Sequence, residues 1–369
     1  MGATCNVLMC KRILASQTNT EGGVPFYKIG TIGSIADAYI SRELFETYRA
    51  KYNYPRKGEV MITCAGTVGK TMLFDGHDSY YQDSNIVWID NPNNHIDNTF
   101  LYHFLSRVDW SRLNTTTIVR IYNDDLRRLR ISYPSKEEQK KISDLLNLLD
   151  QRIETQKKII EKYESLIRGI VETHYSQCSS KTQVKIAELG KPFTTMNMSK
   201  EDLSEDGNEC VLYGELFTTY GCVIKEVKSK THISTNKATI SQSNDLLFPA
   251  STTVDAMSLI APSAICKKDV ILGGDLFGIH IYDDYNNEYL SYLINCIYKS
   301  KLARYAQGST IIHLHYSDIK NAALLVPTFE EQNYVAHHMR NIEEKINTEK
   351  YMLSKLYSQK AYLLSNLFI

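Results

Sequence analysis

The sequence predicts an α+β protein made by tandem duplication, each copy a mixed α/β globular part followed by a long helix, with the two long helices forming a coiled coil. Three observations carry this reading. The motif Pro-Ser-Lys-Glu-Glu-Gln at residues 134–139 opens a stretch in which Ile142, Leu146, Leu149, Ile153, Gln156, Ile160, Tyr163, Ile167 and Ile170 alternate steps of four and three. That spacing is the a/d seam of a helix seeking a partner helix. A second motif, Pro-Thr-Phe-Glu-Glu-Gln, begins at Pro327, 193 positions on, and the same offset maps the seam onto Val335, Met339, Ile342, Ile346, Glu349, Leu353, Leu356, Lys360 and Leu363. The match also reaches upstream, since residues 117–126 (Thr-Ile-Val-Arg-Ile-Tyr-Asn-Asp-Asp-Leu) correspond to 310–319 (Thr-Ile-Ile-His-Leu-His-Tyr-Ser-Asp-Ile). Self-similarity at a fixed offset marks a duplicated structural unit.

The helix starts are signalled locally. Ser135 with Glu138, and Thr328 with Glu331, have the spacing of a capping box, and the prolines before them disfavour helix in the preceding residue. The chain is therefore divided into globular residues 1–134, a long helix at 135–178, globular residues 179–326 and a long helix at 327–369. In the first globular part, residues 59–63, 71–74 and 85–89 read as short strands separated by Gly66, Gly69, Asp75-Gly76 and Asn91-Pro92. Residues 98–110 read as an amphipathic helix with Phe100, Leu101, Phe104, Leu105 and Val108 on one face, and 129–133 as a closing strand. The second part repeats the order with strands at 245–249 and 277–281 and a helix at 287–305.

Composition narrows the class. The 369 residues hold 42 basic and 42 acidic side chains, and 43% are hydrophobic, enough for packed cores. Residues 1–134 carry 15 Lys and Arg against 13 Asp and Glu, and 179–326 carry 14 against 16, so a DNA-binding face must be a local patch. No run of eighteen apolar residues and no charged start followed by an apolar stretch is present, and the eight cysteines lack paired spacing. A soluble cytoplasmic protein with reduced thiols, and no membrane partner, is expected.

No constellation for catalysis or metal binding emerges. Residues 65–71 look like the end of a phosphate-binding loop, but that pattern needs glycine where Cys64 stands, and a strand follows where a helix should. Asn91-Pro92-Asn93-Asn94 has the start of the Asn-Pro-Pro-Tyr tetrapeptide of amino-methyltransferases and lacks its stacking aromatic. His313, His315, His337 and His338 have no cysteine or carboxylate at metal-ligand spacing.

Polar recognition groups are better represented. Arg42, Arg49, Lys51, Arg56 and Lys57 interleave with Phe45, Tyr48, Tyr52 and Tyr54, a mixture suited to phosphates and bases and equally to a solvated helix face. Asn114, Thr115, Thr116, Thr117, Arg120 and Tyr122 in the first copy, and Gln307, Ser309, Thr310, His313 and His315 in the second, lie at equivalent places before the closing strand. These side chains can hydrogen-bond to base edges or phosphates, and differing residues on a repeated framework favour contact over a plain surface loop.

With these residues in view, the chain resembles the specificity subunit of type I restriction-modification enzymes. The double Pro-x-x-Glu-Glu-Gln leading into a heptad helix carries the resemblance, and Gly66-Thr67-Val68-Gly69-Lys70 matches a Gly-Thr-x-Gly loop of that family. The resemblance implies that Thr67 and Lys70 contact DNA. Ser251, Thr252 and Thr253 stand where the second domain would carry the same loop, and no counterpart of residues 185–190 opens the first copy. It further implies two target-recognition domains that each read one half of a split double-stranded DNA site, held apart by long helices paired antiparallel. No cofactor is expected in this chain. Two modification subunits would carry S-adenosylmethionine and methylate adenine, and restriction subunits would cut. A coiled-coil protein-interaction adaptor without DNA specificity is the alternative.

Overall fold

The computed structural model describes residues 1–113 and 120–368. The chain forms two compact units, one of residues 1–157 with 351–369 and one of 158–350. In the first unit an antiparallel sheet runs in the order Asn6–Leu8, Ile86–Asp90, Val60–Thr63, Thr71–Leu73. Both its faces are covered. Val60, Ile62, Val87 and Ile89 pack with the helix Asn98–Ser106, while Met61, Ile86 and Trp88 pack with Phe45, Phe74 and Tyr80. Successive strand residues point to opposite faces, so a strand buried on both sides must be apolar throughout. That is why 60–62 is Val-Met-Ile, all fully buried.

The second unit repeats the arrangement, with the order Gly190–Thr194, Leu276–Ile281, Asp245–Pro249, Ser263–Ile265 and a parallel strand Val223–Ile224 added at the edge. Its covering helix starts as Asn287–Leu293 and continues through a π-helical turn, Ile294–Tyr298, into Lys299–Ala303. Each unit carries a further small sheet, of four strands in the first and five in the second.

Two local expectations need correction. Residues 129–133 form no strand, whereas their repeat counterparts at 322–326 fall largely in the strand Ala323–Pro327, which pairs antiparallel with Lys181–Lys185. A strand exists only through its partner's hydrogen bonds, and among the described residues none lies beside 129–133 in that way. The helix expected over 98–110 stops at Ser106, and Trp110–Leu113 forms a separate 3-10 turn.

The long helices span Lys136–Gln177 and Phe329–Leu367. Ser135 Oγ accepts from the Glu138 N–H and Thr328 Oγ1 from the Glu331 N–H, each at 3.4 Å, satisfying one of the donors that a helix start leaves free. In the first unit the helices run antiparallel: Ile142 and Leu146 share a cluster with Leu363, Leu364 and Leu367, Lys360 pairs with Asp150, and Lys157 lies over the Tyr357 ring. In the second unit Lys350 meets Glu164 at 3.2 Å and His174 stacks on Tyr334, which gives the same antiparallel sense. Among the described residues no helix is long and apolar enough to cross a membrane.

Candidate nucleic-acid interface

The two copies share one backbone joint, at Ile121 in the first and at Leu314 in the second. In the first unit Ile121 is buried and its N–H bonds to the carbonyl of Cys64, the residue after the strand Val60–Thr63, at 2.9 Å. In the second, Leu314 is buried and its N–H bonds to the carbonyl of Ala250, the residue after Asp245–Pro249, also at 2.9 Å. The next residues match too, since the N–H groups of Tyr122 and His315 each donate to an aspartate three positions on, Asp125 and Asp318, at 2.8 Å. A buried apolar anchor leaves its neighbours nearer the surface, Arg120 half-buried and Tyr122, His313 and His315 exposed.

In the second unit this joint carries a hairpin. Gln307 and His313 exchange two backbone hydrogen bonds, at 2.9 and 2.7 Å, around a turn whose Gly308 has φ +116°. A Cβ at position 308 would lie 2.1 Å from the Ile311 carbonyl oxygen, so only glycine closes the turn. The strand Ile312–His313 pairs with Ser251–Thr252, bringing the two sequence-selected segments together. Gln307, Ser309, Thr310, His313, His315 and Thr253 are exposed on it, Thr252 is half-buried and Ser251 is buried. The rings of His313 and His315 stack with centroids 6.2 Å apart.

In the first unit the Gly-Thr-x-Gly loop joins the strands Val60–Thr63 and Thr71–Leu73, confirming strand rather than helix after Lys70. Gly66 and Gly69 have φ +67° and +82°, and a Cβ on Gly69 would meet the Trp110 ring at 2.1 Å. Thr67 is exposed at the loop tip, its carbonyl accepting from Thr63 Oγ1. Lys70 is tethered by Nζ to the Ile32 carbonyl at 2.6 Å. Arg120 is half-buried and lies 5.8 Å over the exposed Tyr122 ring. Asn114, Thr115, Thr116 and Thr117 lie outside the described residues.

The basic and aromatic segment at 42–57 contributes differently. Residues Arg42–Lys51 are helical, and Arg42 and Arg49 both pair with Asp78. Arg56 bridges Glu59, which is buried, and Asp90. The aromatics turn inward: Phe45 is fully buried, and Tyr54 contacts Phe45, Phe74 and Tyr80. Lys51 stays exposed at the helix end, 5.7 Å over Tyr52. Arg49 and Arg56 are therefore held by carboxylates of their own domain, and of these Asp78 and Asp90, 29 and 34 residues away, gave no sequence signal.

Along the helices, Leu146, Leu149, Ile153, Ile160 and Ile167 are buried on the first, and Val335, Met339 and Ile346 on the second. Ile142, Tyr163, Ile170, Ile342, Leu353, Leu356 and Leu363 are half-buried. The motif glutamine of each copy lies outside the apolar seam, so helical periodicity gives it no role. Gln139 and Gln332 are both 1% exposed.

Residues 3–165 match the family model described as the type I restriction modification DNA specificity domain. That match covers the first unit and the start of its long helix and is a similarity of this part of the chain. A Haemophilus influenzae protein named as a type I restriction enzyme specificity subunit is 46% identical over 172 residues, which is 47% of this chain and 41% of that protein. The match thus spans less than half of that curated relative. The S subunit of the type I system of M. genitalium shares the fold at a TM-score of 0.57 and 16% identity, over 100% of this chain and 94% of its own. A chain from a structure addressing complex assembly and conformational transition of a type I system does so at 0.51 and 12%, covering 98% and 97%. At these identities the likeness concerns the fold.

Proposed function

We propose that this chain is a specificity subunit of a type I restriction-modification system, a non-catalytic reader of double-stranded DNA, each unit contacting one half of a bipartite target and the antiparallel helix pair setting the distance between the halves. The observation that carries this reading is the repeated joint at Cys64 and Ala250, where a matched backbone hydrogen bond is flanked by unlike polar side chains, Arg120 and Tyr122 in one copy and His313 and His315 in the other. Equivalent placement with differing chemistry is what two half-sites of unrelated sequence require. In this reading modification subunits, two per complex, hold S-adenosylmethionine and methylate adenine in each half, restriction subunits supply cleavage, and the assembly works in the cytoplasm.

Purified with its modification subunit, the chain should direct adenine methylation to one split motif in plasmid DNA, mapped by single-molecule sequencing of modified bases. Methylation without a split motif would overturn the bipartite reading. Retention on DNA should fall steeply with salt, as phosphate contacts demand. Salt-insensitive behaviour would instead favour a protein-interaction adaptor.

A further inference from the structure

The glutamine that closes each Pro-x-x-Glu-Glu-Gln motif makes the same joint twice. Gln139 Oε1 accepts from the backbone N–H of Asp97 at 2.6 Å, and its Nε2 donates to the carbonyls of Pro134 at 2.9 Å and His95 at 3.4 Å. Gln332 Oε1 accepts from the N–H of Asn286 at 2.9 Å, and its Nε2 donates to the Pro327 carbonyl at 2.9 Å. Asp97 and Asn286 are in turn the N-caps of the two domain helices, Asp97 accepting from Thr99 and Phe100 and Asn286 from Tyr289. One primary amide therefore ties the last carbonyl of a domain, the first turn of a long helix and the cap of the helix covering the sheet. The task needs a donor and an acceptor on one uncharged group, which the side-chain amide provides.

A second polar contact follows at a shared repeat position. Asn147 Oδ1 lies 3.0 Å from His103 Nε2 in the first unit, and Arg340, 193 positions on, holds Glu288 with two nitrogens at 2.8 Å in the second. The glutamine contact is the same in both copies, while this one differs in chemistry. A directional contact of this kind fixes an angle, whereas apolar packing, as around Leu146 and Phe368, tolerates small rotations.

We propose that Gln139 and Gln332 are positioning residues, each setting the pose of one recognition domain on its long helix and thereby the spacing at which that domain's half-site is accepted. This rests on the bipartite reading above. Breaking the joint should loosen spacer selection without changing which bases are read within each half.

The test uses the complex with the modification subunit and duplexes carrying the two native halves with the native spacer, or one base pair more or fewer. Gln139→Leu and Gln332→Leu should each cut the preference for the native spacer by roughly fivefold or more, the factor expected when a buried donor and acceptor lose their partner. Gln139→Glu keeps, while protonated, the acceptor for the Asp97 N–H and one donor for the Pro134 carbonyl, so its preference should move toward wild type at low pH and fall as pH rises. Equal loss of methylation on every spacer, or no change on any, would overturn the proposal while leaving a wild-type split motif intact. A wild-type complex with no split motif would overturn the bipartite reading and this proposal with it.

Discussion

Truncating His313 and His315 to alanine together isolates one half-site. Both rings are exposed, and the backbone beneath them is held independently, His313 by its two bonds to Gln307 and the strand by the buried Leu314 on the Ala250 carbonyl. The fold should lose no more than about 0.5 kcal/mol, as for other surface changes. If each ring contacts a base edge, its removal costs about 1–3 kcal/mol of discrimination, roughly a factor of five to more than a hundred. The assay is competition binding by the complex with duplexes in which either half has been substituted. The double variant should tolerate substitutions in the half read by the second unit and discriminate as wild type in the other. Arg120→Ala should give the mirror image. Equal weakening for both halves, with an unchanged melting temperature, would refute the assignment of one unit to one half.

Other expectations follow from particular contacts. Gly69→Ala places a Cβ against the Trp110 ring at a φ of +82° and should lower stability by about 2 kcal/mol or more, read as a melting shift. Removing seven residues from each long helix keeps the seam in phase and shortens each by about 10 Å at 1.5 Å per residue. The preferred spacer should then shrink by about three base pairs at 3.4 Å each, and methylation mapping that shows an unchanged spacer would end the idea of the helices as a ruler. Glu343, set among Tyr292 and Glu288 with Lys225 and Lys350 as its cations, is raised by burial from 4.5 to about 7. A carboxyl that binds its proton more tightly when folded contributes stability at low pH that is lost as pH rises through 7. Glu343→Gln should therefore melt increasingly above wild type between pH 5 and 7, by an amount on the order of 1–3 kcal/mol, and then level off.

The parts legible in the sequence are those set by short-range rules. The helix starts at Ser135 and Thr328 follow from capping chemistry three residues wide, and the seam from Ile142 onward follows from helical periodicity. The strands at 60–63 and 86–90 were visible because burial on both faces demands continuous apolar residues. Residues 129–133 show the limit: their β-favouring composition has no effect without a paired strand, while 323–327 finds one more than 130 positions earlier. Arg49 and Arg56 show it again, since Asp78 and Asp90 reach them only after the chain has folded back.

By itself, the sequence determined that the chain is a duplicated α+β protein with two long pairing helices, and that polar segments of unlike composition occupy matched places in the copies. These features depend on periodicity, caps and a constant offset of 193 positions, all of which survive without knowledge of any distant contact. Tertiary structure alone decided which candidates share a surface. It set His313 beside Ser251, buried Phe45 in the core with Tyr54 packed against it, and gave Gln139 and Gln332 one joint on Asp97 and Asn286. Those outcomes rest on hydrogen bonds and packing between residues tens of positions apart, whose partners are chosen by the fold and not by local spacing.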